Sequence, residues 1–173
     1  MSVTLHTSLG DIKVELYCDT APRCSFNFLA LCASGYYDGT LFHRNMKGFM
    51  AQGGDPTGTG KGGASVWGGC FDDEFHADNV HDRRGTLSMA NRGADTNTSQ
   101  FFFAYDAQPH LNSRYAVFGR TLDGLEVLDA IERVPVSGKK HRPTTDVAIE
   151  RVTVHANPFA DRGIVLRTPQ DVP

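Results

Sequence analysis

The stretch Phe42–Asp55, FHRNMKGFMAQGGD, limits the possible fold more than any other part of the chain. It places one arginine, Arg44, among apolar side chains, and a guanidinium resists burial unless it is paired or faces a site. Side chains alternate between the two faces of a strand, so Met50 and Gln52 are predicted to share one face and Phe49 to lie on the other, unless the backbone bends. Taken alone, the stretch fits either an amphipathic hairpin with a solvated arginine or a strand that carries a site.

A second stretch of the same character, LSMANRGADTNTSQFFFAY, runs from Leu87 to Tyr105. It combines a methionine and three consecutive phenylalanines with the carboxamides of Asn91, Asn97 and Gln100. Two segments that each mix aromatic and amide side chains predict the two walls of one groove.

Composition excludes several classes of function. A chain of 173 residues with 40% hydrophobic residues is expected to form one domain with a real core. A net charge of −3 argues against a nucleic-acid-binding surface as the main function, although a local basic patch stays open. No apolar run approaches the length of a membrane span. The four cysteines show no CxxC spacing, which favours reduced thiols in a nuclear or cytoplasmic protein over a zinc site.

Apolar periodicity predicts a mainly β fold. Residues 3–16 alternate around a turn and predict a hairpin. An amphipathic helix follows from Thr20, a plausible N-cap, to Gly35, with Phe26, Leu29, Ala30 and Ala33 as its apolar face. Short strands are predicted near residues 87–90, 101–104, 115–121 and 147–154, and a second helix around Leu125, Leu128 and Ile131. Many short strands with two isolated helices predict a closed antiparallel barrel with capped ends, followed by an extended or mobile tail over 158–173.

The glycine-rich segment after Gln52 contains GTGKGG, which matches the GxGxxG pattern of dinucleotide sites. Such a site needs a helix leaving the loop, so that its N–H groups meet the pyrophosphate. The residues that follow, ASVWGGCFDDEF, have no helical period. A surface loop shaped by backbone turns is therefore favoured over nucleotide binding.

The familiar hydrolytic patterns are missing: no GxSxG or HExxH occurs. The carboxylates of Asp72, Asp73 and Glu74 lie on a glycine-flanked turn and are expected to be solvated. What remains is one cation, several amides and an apolar floor, which suits binding of an extended peptide or a reaction that makes and breaks no bond.

The motifs FHRNMKGFMAQGGD, GTGKGG, LSMAN, NTSQFF and YAVFGR resemble those of the cyclophilin-type peptidyl-prolyl cis–trans isomerases over residues 1–157. Within that family the chain is most similar to the peptidyl-prolyl isomerase-like 3 subgroup, through MSVTLHT, NFLALCAS and VHANPFA. The resemblance implies an eight-stranded antiparallel β-barrel capped by two α-helices, an isomerase domain over 1–157 and a C-terminal extension over 158–173. It implies a monomer that needs no cofactor and no metal.

The resemblance also implies roles for individual residues. Catalysis would rest on Arg44, Phe49 and Gln52. The remaining substrate-binding residues would be Met50, Gly60, Ala90, Asn91, Gln100, Phe102, His110, Leu111 and Tyr115. An upstream pocket that sets specificity would be bordered by Lys61, Cys70 and Arg92 and lined by Thr96, Ser99 and Gln100.

Four departures from the family pattern qualify these expectations. His110 stands where many members have tryptophan, Tyr115 where they have histidine, Arg92 where they have a small residue, and Asn97-Thr98 where they have Asn-Gly. Two functions therefore stay open: an active isomerase for X–Pro bonds, or a weakly active module that binds proline peptides and serves assembly. The subgroup resemblance implies spliceosomal partners. Because His110 replaces the tryptophan of many members, the resemblance also implies weak cyclosporin binding. Direct contact with nucleic acid or with a membrane is not expected.

Overall fold

The computed structural model describes residues 1–161 and 168–172. Eleven strands, three α-helices and two 3₁₀ turns follow one another along this part of the chain. In order, these are β1 (Ser2–Thr7), β2 (Gly10–Leu16), α1 (Pro22–Ala33), β3 (Thr40–Leu41), β4 (Arg44–Met46), β5 (Met50–Gly53), β6 (Thr86–Met89), β7 (Phe101–Ala104), a 3₁₀ turn (Pro109–Leu111), β8 (Val117–Asp123), α2 (Leu125–Glu132), β9 (Val136–Ser137), β10 (Arg142–Pro143), β11 (Ala148–Val154), α3 (Pro158–Asp161) and a 3₁₀ turn (Pro169–Asp171).

The predicted mainly β fold is confirmed as one curled antiparallel sheet in the order β3-β11-β1-β2-β8-β6-β7-β5-β4. Its first and last strands are adjacent in the chain, because β3 and β4 are two parts of one stretch interrupted at Phe42 and His43. Counting that stretch once leaves the eight expected strands. Its first part pairs with β11 and its second part pairs with β5, which brings the two ends of the curled sheet together. The strands β9 and β10 form a separate hairpin.

Helix α1 packs across the sheet, but its buried face differs from the predicted one. The fully buried ring is Phe28, whereas Phe26 is only half-buried and Ala33 is exposed. The N-cap also differs, because Ala21 occupies that position and makes no side-chain capping bond. The carboxylate of Glu74 accepts the free N–H groups of Arg23 and Cys24 instead.

Aromatic rings dominate the core. The ring of Phe28 lies 5.2–5.3 Å from those of Tyr37, Phe101 and Phe118, mostly tilted or edge-on. Edge-to-face packing of this kind adds stabilisation beyond the burial of area, because the positive edge of one ring meets the negative face of the next. This cluster holds the strands that carry the groove in fixed positions.

The tail packs on the domain where it is described. Residues Pro158–Asp161 form α3 and not the expected extended chain, and the Phe159 ring meets Phe26 edge-on at 5.2 Å. This third helix is additional to the two expected ones. Residues 162–167 and 173 lie outside the described part of the chain, and the domain boundary at residue 157 stays a prediction.

Candidate active site

A cavity of about 530 Å³ opens between the two polar–aromatic segments. One wall comes from β4, β5 and the glycine-rich loop, and the other comes from the ends of β6 and β7 and the segment before β8. The lining residues are Arg44, Met46, Phe49, Met50, Gln52, Gly60, Lys61, Gly62, Gly63, Cys70, Ala90, Asn91, Arg92, Thr96, Thr98, Gln100, Phe102, Leu111 and Tyr115.

Arg44 lies at the start of β4, directly opposite Gln52 in the β4–β5 ladder. Its side chain is exposed and lines the cavity. In the part of the chain that the structure describes, this guanidinium takes part in no hydrogen bond or ion pair. All of its N–H donors are therefore available to a bound molecule.

The floor of the cavity is a separate apolar cluster. Met50, Ala90, Phe102 and Leu111 are buried, and Met46, Phe49 and Tyr115 pack against them. The prediction that Met50 and Gln52 share a face is confirmed, since both line the cavity. Phe49 joins them because the backbone turns there: its N–H bonds to the Met46 carbonyl before β5 begins. A compact ring can lie on this floor while a polar chain stays in the groove.

A chain of amides forms the polar wall. Gln52 Nε2 donates to Gln100 Oε1 at 2.8 Å, and Gln100 Nε2 donates to the carbonyls of Gly60 and Gly62 at 3.1 and 2.8 Å. These bonds fix both carboxamides relative to the glycine-rich loop. Asn91 is held on the other side by donating to the Arg114 carbonyl at 2.8 Å.

The glycine-rich loop is organised around the buried carboxylate of Asp55, not around a ligand. Asp55 accepts the backbone N–H groups of Thr57, Gly60 and Gly62 at 2.7–3.1 Å and the Thr57 hydroxyl at 2.8 Å. Burial alone would raise the pKa of Asp55, but these hydrogen bonds outweigh it and hold the pKa below its usual value. Gly62 is required here, because a Cβ would lie 2.5 Å from the Asp55 carboxylate. A buried anion therefore shapes one wall of the cavity.

Most, but not all, of the residues expected around the upstream pocket line the cavity. Lys61, Cys70, Arg92 and Thr96 do line the cavity. Ser99 does not: its hydroxyl is fully buried and donates to the Gly54 carbonyl at 2.7 Å. These two consecutive residues before β7 point in opposite directions, since Gln100 lines the cavity and Ser99 is buried.

Two of the positions that depart from the family pattern lie beside the apolar floor. Tyr115 lines the cavity, and its ring meets that of Phe102 edge-on at 5.7 Å. His110 is exposed and lies outside the lining, edge-on to Phe49 at 6.1 Å. His110, an expected substrate-binding residue, is therefore not among the lining residues, and it borders the groove through its contact with Phe49.

A buried histidine that the sequence did not point to supports the floor from behind. His81 is 1% exposed, and its ring stacks on Phe102 at 6.0 Å with an interplanar angle of 6°. Its Nδ1 donates to Asn112 Oδ1, so its Nε2 accepts the hydroxyl of Ser88. Burial lowers the pKa of His81 against the opposing bond to Asn112, which keeps the ring neutral near pH 7.

A second buried histidine lies behind the glycine-rich loop. His43 is 7% exposed, and its ring packs close to Gly60, where an added Cβ would lie 3.3 Å from the imidazole. Burial is the main cause that lowers the pKa of His43, and the nearby guanidinium groups of Arg142 and Arg44 lower it further, against the opposing charge of Asp55. The adjacent cations thus favour a neutral ring.

Sequence reasoning also missed Met46, Gly62, Gly63 and Thr98 as lining residues. Strand alternation from Arg44 would have found Met46.

Among residues 1–161 and 168–172, no group of three histidine, cysteine or acidic side chains could hold a metal ion. Over the same residues, no helix is both long and apolar enough to cross a membrane.

Comparison with known proteins agrees with this geometry. Residues 2–154 match the family model described as cyclophilin type peptidyl-prolyl cis-trans isomerase/CLD. The chain is 59% identical over 160 residues to peptidyl-prolyl cis-trans isomerase-like 3 of Rattus norvegicus, which covers 92% of this chain and 99% of the relative. It is 60% identical over 160 residues to peptidyl-prolyl cis-trans isomerase CYP18-1 of Arabidopsis thaliana, with the same coverage.

Solved structures lead to the same family. The crystal structure of a Cryptosporidium parvum cyclophilin type peptidyl-prolyl cis-trans isomerase, obtained in the presence of the dipeptide Ala-Pro, superposes with a TM-score of 0.87 at 48% sequence identity. The match covers 91% of this chain and 100% of that one.

Proposed function

Because the chain belongs to the cyclophilin-type peptidyl-prolyl cis–trans isomerase family, we propose that it rotates X–Pro bonds in the 530 Å³ cavity with Arg44 as its catalytic residue. The enzyme class is EC 5.2.1.8. One observation carries the assignment of Arg44: its unpaired guanidinium faces the same cavity as the buried apolar floor.

The chemistry follows from the amide itself. Its rotational barrier of about 20 kcal/mol comes from delocalisation of the nitrogen lone pair into the carbonyl. In the twisted transition state that delocalisation is lost, and the proline nitrogen becomes a better hydrogen-bond acceptor. A guanidinium N–H directed at this nitrogen stabilises the twisted amide more than either planar isomer, which is the requirement for catalysis.

The other groups hold the substrate during rotation. The proline ring would lie on Met50, Phe102 and Leu111, with Phe49 beside it. Gln52 and Gln100 would bind the peptide backbone, since their mutual hydrogen bond fixes both amides in the groove. The ring then stays still while the preceding carbonyl turns.

The required acceleration is within reach of these groups. Uncatalysed exchange takes on the order of 100 s, and reaching milliseconds means lowering the barrier by roughly 7 kcal/mol. One well-placed donor commonly accounts for about 3–4 kcal/mol, and positioning and desolvation can supply the rest. No bond is made or broken, so the chain's own residues suffice for this step.

A second candidate function, a weakly active module that binds proline peptides, is favoured by one specific contact. The guanidinium of Arg92 donates to the Gly60 carbonyl at 3.1 Å and so spans the upstream part of the groove. This contact narrows access for residues before the proline. In this role the protein would bind clients for assembly, with slow turnover.

We propose spliceosomal proteins as clients, with the protein in the nucleus, the cytoplasm or both. The support is the identity to proteins of the isomerase-like 3 group and the resemblance of the opening and closing motifs. We further propose weak cyclosporin binding, because His110 offers less apolar area than a tryptophan.

Exchange NMR on an Ala-Pro tetrapeptide tests both candidate functions together. An isomerase gives cross-peaks between the cis and trans forms at substoichiometric protein. Line broadening or shift changes without exchange cross-peaks would select the binding module.

A further inference from the structure

A second cavity, of about 250 Å³, lies on the other side of β4 from the active site. It is lined by Asn45, Lys47, Glu132, Arg133, Val134, Pro135 and Val136. The alternation of β4 explains the arrangement: Arg44 and Met46 line the catalytic groove, whereas Asn45 faces this cavity, and Lys47 lines it from the turn that follows β4. The two cavities therefore share one strand as a common wall.

The charges around this cavity are mostly positive. Lys47 and Arg133 line it, and the adjoining β9–β10 hairpin carries Lys139 and Lys140. That hairpin is joined to β4, because Asn45 N–H donates to the His141 carbonyl at 2.9 Å. On a chain with a net charge of −3, this is a local excess of positive charge.

The protein's own groups do not neutralise the two lining cations. Glu132 is the one carboxylate among the lining residues, and both of its oxygens are occupied, by Arg84 at 2.9 Å and by the Gly48 N–H at 2.8 Å. In the described part of the chain, the side chains of Lys47 and Arg133 form no hydrogen bond or ion pair. Their charges remain available to a partner.

The remaining wall is aliphatic. It consists of Val134, Pro135 and Val136, of which Val136 is 38% exposed. The volume is below the roughly 300–1,000 Å³ of small-molecule sites, so the cavity suits side chains of a docked segment better than a free small molecule. The described lining offers no aromatic ring for base stacking, which disfavours a nucleic acid.

We propose that this cavity and the β9–β10 hairpin form a secondary binding site for an acidic segment of a client protein, with an aliphatic side chain beside its carboxylates. Its link to catalysis rests on the proposed function of the main groove. Arg44 and Lys47 are three residues apart in the chain, so their Cα atoms are separated by at most about 11 Å, and an extended linker of roughly six to eight residues would join the two sites. Simultaneous engagement raises the affinity for clients whose X–Pro bond lies near such a segment.

The test is an NMR titration of the full chain with a proline-free hexapeptide of alternating glutamate and valine, compared with the same peptide carrying glutamine. We expect shifts at Lys47, Arg133 and Val136, and about tenfold tighter binding of the glutamate peptide at low salt. The change Arg133→Gln should weaken the glutamate peptide about fivefold, whereas the matched exposed change Arg151→Gln should leave it unchanged.

Three results would overturn the proposal. The first is equal affinity for the glutamate and glutamine peptides. The second is an equal loss of affinity for the glutamate peptide in Arg133→Gln and Arg151→Gln. The third is tighter binding of a uridine octamer than of the glutamate peptide. Because these peptides contain no proline, the outcome does not depend on whether Arg44 catalyses rotation. A chimera that joins Ala-Pro to the acidic sequence then measures the coupling, which we expect to exceed tenfold in affinity over Ala-Pro alone.

Discussion

Arg44 and Gln52 lie directly opposite each other in the β4–β5 ladder, and both side chains line the same cavity. Gln52 is fixed through its bond to Gln100, whereas the Arg44 guanidinium has no protein partner in the described part of the chain. The pair therefore combines a rigid amide with a free cationic donor. This relationship makes Arg44 the position where a substitution should separate catalysis from folding.

Replacing Arg44 by alanine should lower the isomerisation rate about 10²–10³-fold, because the cationic donor for the proline nitrogen is lost. The fold should persist, since this side chain is exposed and supports no other group. Lysine should restore little, because a flexible ammonium does not reproduce the planar guanidinium. The measurement is exchange NMR on an Ala-Pro peptide, with Arg151→Ala as the matched exposed control. A near wild-type rate for a folded Arg44→Ala protein would remove Arg44 from the mechanism.

The buried carboxylate of Asp55 should be needed for the shape of the groove. Asp55→Asn replaces an acceptor oxygen with an N–H₂ group that faces N–H donors, which should lower the free energy of unfolding by about 1–3 kcal/mol. The KM for the peptide should rise, because Gly60 and Gly62 also hold Gln100. Urea unfolding measures the first effect and peptide kinetics the second. Asp146→Asn, at an exposed position before β11, is the control, and an equal change in both variants would contradict this role.

Stability should fall in mild acid because of the two buried histidines. Burial lowers the folded-state pKa of His81 and of His43, so the unfolded chain binds protons first as the pH falls below about 6.5. The contribution of these neutral histidines to the free energy of unfolding is complete above that pH. It is lost progressively as the pH falls towards the lower, folded-state pKa. Urea unfolding from pH 7.5 to pH 5 should show this slope.

The variant His81→Gln should flatten that slope, and His43→Gln provides the same test if the first variant does not fold. The exposed change His76→Gln should leave the slope as it is. A wild-type slope in both folded buried-site variants would show that other groups control the acid response.

Cyclosporin affinity should increase when His110 is replaced by tryptophan. His110 is exposed and meets Phe49 edge-on, so a larger ring there adds apolar area beside the floor of the groove. We expect a gain of about 1–2 kcal/mol, measured by calorimetric titration against His76→Trp as a surface control. Tight binding by the unsubstituted protein would contradict the prediction.

Much of the fold could be predicted from local patterns. The hairpin of β1 and β2 and the helix around Leu128 each follow from a short-range period in apolar residues, and the strand Phe101–Ala104 follows from a short apolar run. The shared face of Met50 and Gln52 follows in the same way from strand alternation. The family motifs added the list of groove residues, most of which the structure brings into one cavity.

Contacts between distant parts of the chain were decided only by the tertiary structure. The cap of α1 comes from Glu74, some 50 residues away, although Thr20 is the local candidate and the acidic turn was expected to be solvated. His81 reaches the back of Phe102 from a loop without periodicity. Asp55 becomes the centre of the glycine-rich loop because the fold buries it among free N–H groups.

The reason is physical. Periodicity records which face of an element is apolar, and that depends on near neighbours in the sequence. A buried polar group must find its partner wherever the closed sheet brings one, and the sequence does not mark that position. The local sequence thus determined the strands, the helices and the groove's chemical character. The closing of the sheet decided which buried charges and rings hold that groove in shape.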